Sequence, residues 1–181
     1  MAVNEQGGIT PELMKRLTDL IRKAVDTKAD GILLSCSSFS PLIPEIQKQF
    51  SIPVLSVDGA MLDLAVKQGR RIGVIATVAA AGPATRMLLE KAAEELGKPL
   101  QIFVDVVPEA FEALKSGDTL KHDQLIKESA EKLLHDVDLI VLAQISMART
   151  AVVLEGGGVS VLTSPQISAH SIMNEIEHRH K

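Results

Sequence analysis

Ala29-Asp30-Gly31-Ile32-Leu33-Leu34-Ser35-Cys36-Ser37-Ser38-Phe39-Ser40-Pro41 contains the only cysteine of a 181-residue chain, and the stretch occurs twice. The second, degenerate copy is Val137-Asp138-Leu139-Ile140-Val141-Leu142-Ala143-Gln144-Ile145-Ser146-Met147, 108 positions later. Each copy leads with an aspartate, runs through apolar residues, ends that run on a polar residue and places a serine two positions on. Cys36 in the first copy therefore answers Gln144 in the second. Downstream, Pro53-Val54-Leu55-Ser56 answers Ser160-Val161-Leu162-Thr163 at an offset of 107, so one deletion covers the difference. Short apolar runs of this kind, bounded by turn residues, read as strands buried in a parallel sheet.

Outward from these strands, β-rich runs alternate with amphipathic helical runs along the whole chain, the pattern of an α/β protein. Thr10-Pro11-Glu12 opens a helix with a capping hydroxyl, a proline at the first helical position and an acid in the first turn. Its apolar face is Leu13, Leu17, Leu20, Ile21, Ala24 and Val25. Strand 31–35 leads to a helix begun at Ser40-Pro41, and strand 53–57 leads to one begun by Asp58 and ended at Gly69. Strand 71–76 runs into a small-residue loop ending at Gly82-Pro83, before a helix that Gly97 closes. Strand 100–107, helices 109–115 and 119–135, strand 138–143, a helix from about Ser146 to Glu155 and strand 159–163 complete the pattern, with a last helix from Ser164-Pro165. Gly156 to Gly158 lacks the spacing and the following lysine of a phosphate loop, and reads as a turn. The expected fold is α/β with two pseudo-symmetric, three-layer parallel-sheet units, the first incomplete at its N-terminus. The first unit spans 1–69 and carries Cys36, the second spans 70–164, and a C-terminal helix over 165–181 packs back on the first. By this reading the chain begins late, without a first strand-helix-strand, and a sheet edge is left open; such edges are usually covered, so a homo-oligomer (dimer), instability of residues 1–60 or a cleft open on one side is expected.

Composition narrows the function. With 46% hydrophobic residues the chain buries a sizeable core. No apolar run approaches the roughly 20 residues of a membrane span, and the N-terminus has no signal-peptide pattern, which reads as a cytoplasmic protein with no membrane partner. One cysteine excludes an internal disulfide and a multi-cysteine metal site, so no metal is expected. A net charge of −4, with four Phe and no Trp or Tyr, argues against a nucleic-acid partner. His122, His135, His178 and His180 fall on polar helix faces or the tail and read as solvated.

The chain resembles the aspartate/glutamate/hydantoin racemase superfamily. The resemblance is carried by Gly31-Ile32-Leu33-Leu34-Ser35-Cys36-Ser37-Ser38, by Ile72-Gly73-Val74-Ile75-Ala76-Thr77, by Val141-Leu142-Ala143-Gln144-Ile145-Ser146-Met147-Ala148-Arg149 and by Val161-Leu162-Thr163-Ser164-Pro165. It implies a cofactor-independent enzyme with two pseudo-symmetric α/β domains, each placing a cysteine at a strand end, the pair flanking the substrate's α-carbon. Cys36 matches the first of these positions and Gln144 stands at the second, so the two-thiol pattern is broken.

Removing a proton beside a carboxylate needs a base close to the hydrogen and donors around the carboxylate. A thiolate at a strand end before a helix can be that base, because a helix N-terminus favours its charged form. Ser37 and Ser38 hydroxyls with first-turn N–H groups would cradle the carboxylate, and Thr77, Gln144, Ser146 and Ser164 stand at equivalent strand ends. A lone cysteine after an apolar strand is on composition alone a small buried hydrophobe, and the serines are equally good helix caps. The repeat and the resemblance favour the functional reading, in which Cys36 is the acid/base acting on a small-molecule carboxylate without a cofactor. Racemisation needs a proton-transfer group on each face of the carbon, and Gln144 transfers none. Racemase-type isomerase, single-cysteine decarboxylase or lyase, and non-catalytic carboxylate-binding protein are the three readings the residues leave open.

Overall fold

The computed structural model describes residues 9–154 and 156–179. The expected α/β architecture is present as two parallel sheets flanked by helices. Helix α1 (Pro11–Asp26) precedes strand β1 (Ile32–Leu34), followed by a 3-10 turn (Ser37–Leu42), α2 (Ile43–Gln47), β2 (Val54–Ser56) and α3 (Gly59–Gln68). The chain continues through β3 (Arg71–Ala76), α4 (Ala81–Glu95), β4 (Gln101–Val106), α5 (Pro108–Lys115), α6 (Thr119–Leu133) and β5 (Leu139–Leu142). A second 3-10 turn (Ile145–Thr150), α7 (Ala151–Leu154), β6 (Ser160–Leu162) and α8 (Ser164–Arg179) follow. The first sheet is β1-β2 and the second is β4-β3-β5-β6, parallel at every pairing.

Local chemistry accounts for the helix starts. Thr10 Oγ1 accepts from the Leu13 amide at 3.2 Å, with Pro11 at the first helical position. Asp118 caps α6 in the same way, accepting from Lys121 N–H at 3.0 Å. Gly97, at φ +59°, ends α4 in the left-handed conformation that glycine tolerates. Gly82 has a packing reason instead: a Cβ there would lie 2.9 Å from Val106 Cγ2 and 3.0 Å from Val104 Cγ1, so its absence lets α4 settle on β4.

The core forms where two apolar faces meet. Ile72, Val74 and Ala76 of β3 and Leu139 and Val141 of β5 pack with Met61, Leu62, Leu89 and Ala93 on one side of the second sheet. Ile75, Ile140 and Leu142 pack with Ala110, Ile126, Ala130 and Met147 on the other. Burial on both faces explains why these strands read as continuous apolar runs. In the first unit a smaller cluster joins Leu17, Ile21, Ile43, Ile46 and Val54.

By the repeat, β1 and β2 answer β5 and β6. β5 is paired on both sides, by β3 and β6, whereas β1 pairs with β2 alone; β3 and β4 have no counterpart in the first sheet among the described residues. That is the incompleteness expected of the first unit. Its strands are correspondingly short, and Ile32, Leu33 and Leu34 are all only partly buried. Helix α8 returns to pack on α3 and β1. Gly31 accommodates it, since a Cβ there would meet Ile176 Cδ1 at 3.0 Å.

Three expectations are corrected. Leu20, assigned to the apolar face of α1, is 62% exposed, because the first unit offers too little opposing surface to cover that whole face. The helices expected to open at Ser40-Pro41 and Ser146 begin instead as 3-10 turns at Ser37 and Ile145, because the carbonyls of Cys36 and Gln144 accept from the amides of Phe39 and Met147, each at 3.0 Å. His122 is fully buried rather than solvated, as described below. His180 lies outside the described residues.

The aspartate that leads the second copy ties β5 to β3. Asp138 accepts from the Arg70 and Arg71 amides, both at 2.9 Å, and from the Arg71 guanidinium at 3.0 and 3.1 Å. The two backbone amides and then the guanidinium hold its carboxyl at about 2. A carboxyl with a depressed folded-state pKa contributes stability that is present above its unfolded value and lost as pH falls through the folded value. Urea unfolding followed from pH 7 to pH 2 is expected to show wild-type stability dropping between about pH 4 and 2 by a component that Asp138→Asn lacks. The same acid limb in both proteins would refute the assignment.

Candidate active site

The C-terminal ends of parallel strands collect side chains at one edge of a sheet, where the chain turns into the next helix. Cys36 stands there, two residues beyond β1, in extended conformation (φ −115°, ψ 103°) at the mouth of the Ser37–Leu42 turn. It is a free thiol, partly buried. Gln144 takes the same place beyond β5, again extended (φ −132°, ψ 142°) before its own 3-10 turn. The repeat is therefore preserved in the backbone although the side chain has changed.

Two sets of hydrogen bonds join the copies and the neighbouring strand. The buried Ser37 hydroxyl donates to the carbonyl of Ala143 at 2.7 Å, bridging the first turn to the residue before Gln144. The Gln144 side chain folds onto Thr77, just past the end of β3: its Oε1 accepts from the Thr77 amide at 2.6 Å and its Nε2 donates to Thr77 Oγ1 at 2.9 Å. Thr77 is 1% exposed, so Gln144 satisfies an amide that water does not reach. Cys36, Ser37, Gln144 and Thr77 thus belong to one connected group. Ser38 is partly buried in the first turn, and Ser146 is exposed in the second. Ser164 is buried at the start of α8, beyond β6, and no hydrogen bond among the described residues links it to that group.

Asp58 belongs to this edge and was read from the sequence only as a helix start. It follows β2 and is 1% exposed, with both carboxylate oxygens buried and without a hydrogen-bond partner. It precedes α3 but its side chain makes no capping bond. Burial pushes its pKa up, opposed by the nearby hydroxyls of Ser40, Ser56 and Ser37. An acid immediately after a strand of the Cys36 sheet was the available signal. A cavity of about 480 Å³ adjoins this place, lined by Ser40, Ile43, Ser56, Gly59, Leu88 and Lys91 among others; Cys36 is not on its wall.

The second turn is held from behind by a network around the buried His122. Its Nδ1 lies 2.8 Å from Asp123 Oδ1, and Asp123 also accepts from Arg149 at 2.5 Å and Thr150 at 2.8 Å. Burial acts to raise the Asp123 pKa, but the bonds from Arg149, His122 and Thr150 outweigh it and the pKa is lowered. His122 escapes solvent because residues 145–150 fold over the start of α6, a contact between segments far apart in sequence. No group of three or more His, Cys, Asp or Glu side chains suited to a metal ion occurs among the described residues. Nor is any helix among them long and apolar enough to cross a membrane.

Comparison with known proteins agrees with this fold. A curated glutamate racemase from Trichodesmium erythraeum is 34% identical over 73 residues, which is 40% of this chain and 27% of that protein. The solved structure of a glutamate racemase isoform from Bacillus anthracis superposes with a TM-score of 0.70 at 20% identity, covering 93% of this chain and 67% of that one. Unliganded arylmalonate decarboxylase superposes with a TM-score of 0.59 at 16% identity, covering 91% and 76%. The chain thus spans about two thirds of the solved racemase and little more than a quarter of the curated one. The sequence pattern described as Asp/Glu/Hydantoin racemase matches residues 4–172, nearly the whole chain, and the protein belongs to that family.

Proposed function

We propose that this protein is a cofactor-independent, racemase-type isomerase that makes and reprotonates an α-carbanion of a small carboxylate, such as an amino acid, with Cys36 as the acid/base. The observation that carries the reading is the position of Cys36: a free, partly buried thiol beyond a parallel strand, at the mouth of the Ser37–Leu42 turn, which Ser37 joins to the matching strand end before Gln144. As thiolate, Cys36 takes the α-proton and becomes a thiol, and the electron pair of the broken C–H bond moves into the carboxylate. Donors of the Ser37–Leu42 turn would stabilise the resulting enediolate. Return of the proton to carbon restores the thiolate. Ser37, Ser38, Thr77, Gln144, Ser146 and Ser164 are proposed to line the substrate's side of the cleft, Ser37 and Thr77 chiefly by fixing the turns.

A second reading is favoured by the hydrogen bonds of Gln144. Its amide is committed to Thr77 and has no proton to transfer, which leaves Cys36 as the proton-transfer group contributed by the two repeated strand ends. One such group suffices for a decarboxylase: carbon dioxide leaves, the C–C bonding electrons stay on carbon, and the Cys36 thiol protonates it. A protein that only binds the carboxylate would need no proton transfer from Cys36. We further propose a homodimer in which a second copy covers the edge of β1 that has no strand partner among the described residues.

Proton NMR of α-substituted carboxylic acids, amino acids and hydantoins in deuterated water tests the main reading. Wild type is expected to exchange or release the α-substituent of one class, and Cys36→Ala to lose the activity by about 100-fold or more. Undiminished turnover by Cys36→Ala would end the proposal, and no turnover by a folded wild type would favour the binding protein. Product chirality then separates the enzymes: one enantiomer supports one-sided protonation and a racemic product supports two-sided exchange. Gln144→Ala leaves the buried Thr77 amide without its acceptor and is expected to lower stability by about 1–3 kcal/mol in urea unfolding. An unchanged midpoint would show that the clamp is dispensable. Light scattering at micromolar concentration is expected to report a dimer, and a monomeric mass would remove that part of the proposal.

A further inference from the structure

We propose that Asp58 is a positioning residue for Cys36: its buried carboxyl and the equally buried Ser40 hydroxyl, both unpartnered at present, fix the turn carrying the thiol when one proton lets them pair. The proposal rests on the reading of Cys36 as the proton-transfer group. Its first support is register. Leu34 of β1 pairs with Ser56 of β2, and the Val57 amide extends the ladder to the Leu34 carbonyl at 2.9 Å. Cys36 and Asp58, each two residues past that pair, therefore leave the sheet at the same edge.

The second support is an accounting of buried polar atoms. Ser40 Oγ and both Asp58 carboxylate oxygens are buried, and all three lack partners. An aspartate at the start of a helix ordinarily accepts from that helix's first amides, and Asp58 does not. Nearby, Ser37 has given its hydroxyl hydrogen to Ala143, and Ser56 Oγ accepts from the Gly59 amide at 3.2 Å. An ionised carboxylate would bring a charge into a place that solvent does not reach, with no cation among the groups that act on it. A protonated carboxyl avoids this. Its carbonyl oxygen accepts from the Ser40 hydroxyl, and its O–H donates to a lone pair of Ser37 or Ser56, so one proton resolves the whole group.

The influences on Asp58 are burial, the three hydroxyls and its own backbone amide, with no charged side chain among them. The charged groups that line the adjoining cavity are Asp63 on α3, Lys91 and Glu95 on α4 and Glu175 on α8. A carboxyl whose folded-state pKa is raised contributes stability fully below the unfolded value, and that contribution is lost as pH rises through the folded value. The turn held by Asp58 is thus tightest on the acid side.

Because the chain has a single cysteine, alkylation by iodoacetamide followed by intact mass reports Cys36 alone. Its rate would be measured against pH for wild type, Asp58→Asn, Asp58→Ala and Ser40→Ala, with urea unfolding as the stability control. Asp58→Asn, which keeps a neutral acceptor and donor, is expected to alkylate within about threefold of wild type at pH 7, whereas Asp58→Ala and Ser40→Ala alkylate about tenfold faster from a loosened turn. In α-proton exchange the same two variants are expected to lose about 10- to 100-fold in kcat with KM changed less than about threefold, and Asp58→Asn to restore kcat. Alkylation of Asp58→Ala at the wild-type rate, or an Asp58→Asn variant as impaired as Asp58→Ala, would overturn the proposal. Should Asp58→Ala not fold, carboxyl carbon NMR of the wild type decides, because Asp58 titrating in the ordinary aspartate range refutes a neutral group. Failure of the Cys36 reading is seen separately, as exchange that survives Cys36→Ala while the alkylation differences persist.

Discussion

The hydrogen bond from Ser37 Oγ to the carbonyl of Ala143 joins positions 106 residues apart and brings the two copies of one motif together. Both ends are buried, so neither group has water as an alternative partner, and breaking the bond would leave a desolvated carbonyl. The backbone on either side is correspondingly determined. Cys36 emerges before Ser37, Gln144 follows Ala143, and each opens a 3-10 turn closed by the same carbonyl-to-amide contact. The candidate site is the place where these two turns meet.

Around that junction the two units are unequal. β5 is hydrogen-bonded on both sides, buried on both faces and anchored to β3 by Asp138, while β1 has one partner and partial burial. The side chains differ in the same direction. The second turn is restrained by Gln144 on Thr77 and, from behind, by Asp123 with Arg149 and Thr150. The first turn, which carries the thiol, has Ser40 and the nearby Asp58, whose buried side-chain oxygens lack partners.

Much of this was legible in the chain. The alternation of apolar runs and amphipathic segments identified every strand, since burial on both faces leaves Ile72 to Ala76 and Leu139 to Leu142 no polar position. The Thr10-Pro11 start and the Gly97 stop were read correctly because capping acts over a few residues. The repeat located Cys36 and Gln144 at equivalent strand ends. Features that depend on distant chain were misread: Leu20 fits the helical apolar stripe yet faces solvent, and His122 fits the polar stripe yet lies under residues 145–150. Asp58 was legible only as a helix start, because nothing local reveals that its carboxyl turns inward instead of capping.

The sequence by itself determined the class of fold, the duplication, the family resemblance and the presence of one thiol where that resemblance implies two, all of which follow from local periodicity and residue identity. Tertiary structure alone decided that Gln144 is committed to Thr77, that Ser37 bridges the repeats, and that the side-chain oxygens of Asp58 and Ser40 are buried without partners. Those are properties of buried polar groups, and a polar group's partner is set by whichever part of the chain the fold brings within about 3 Å of it.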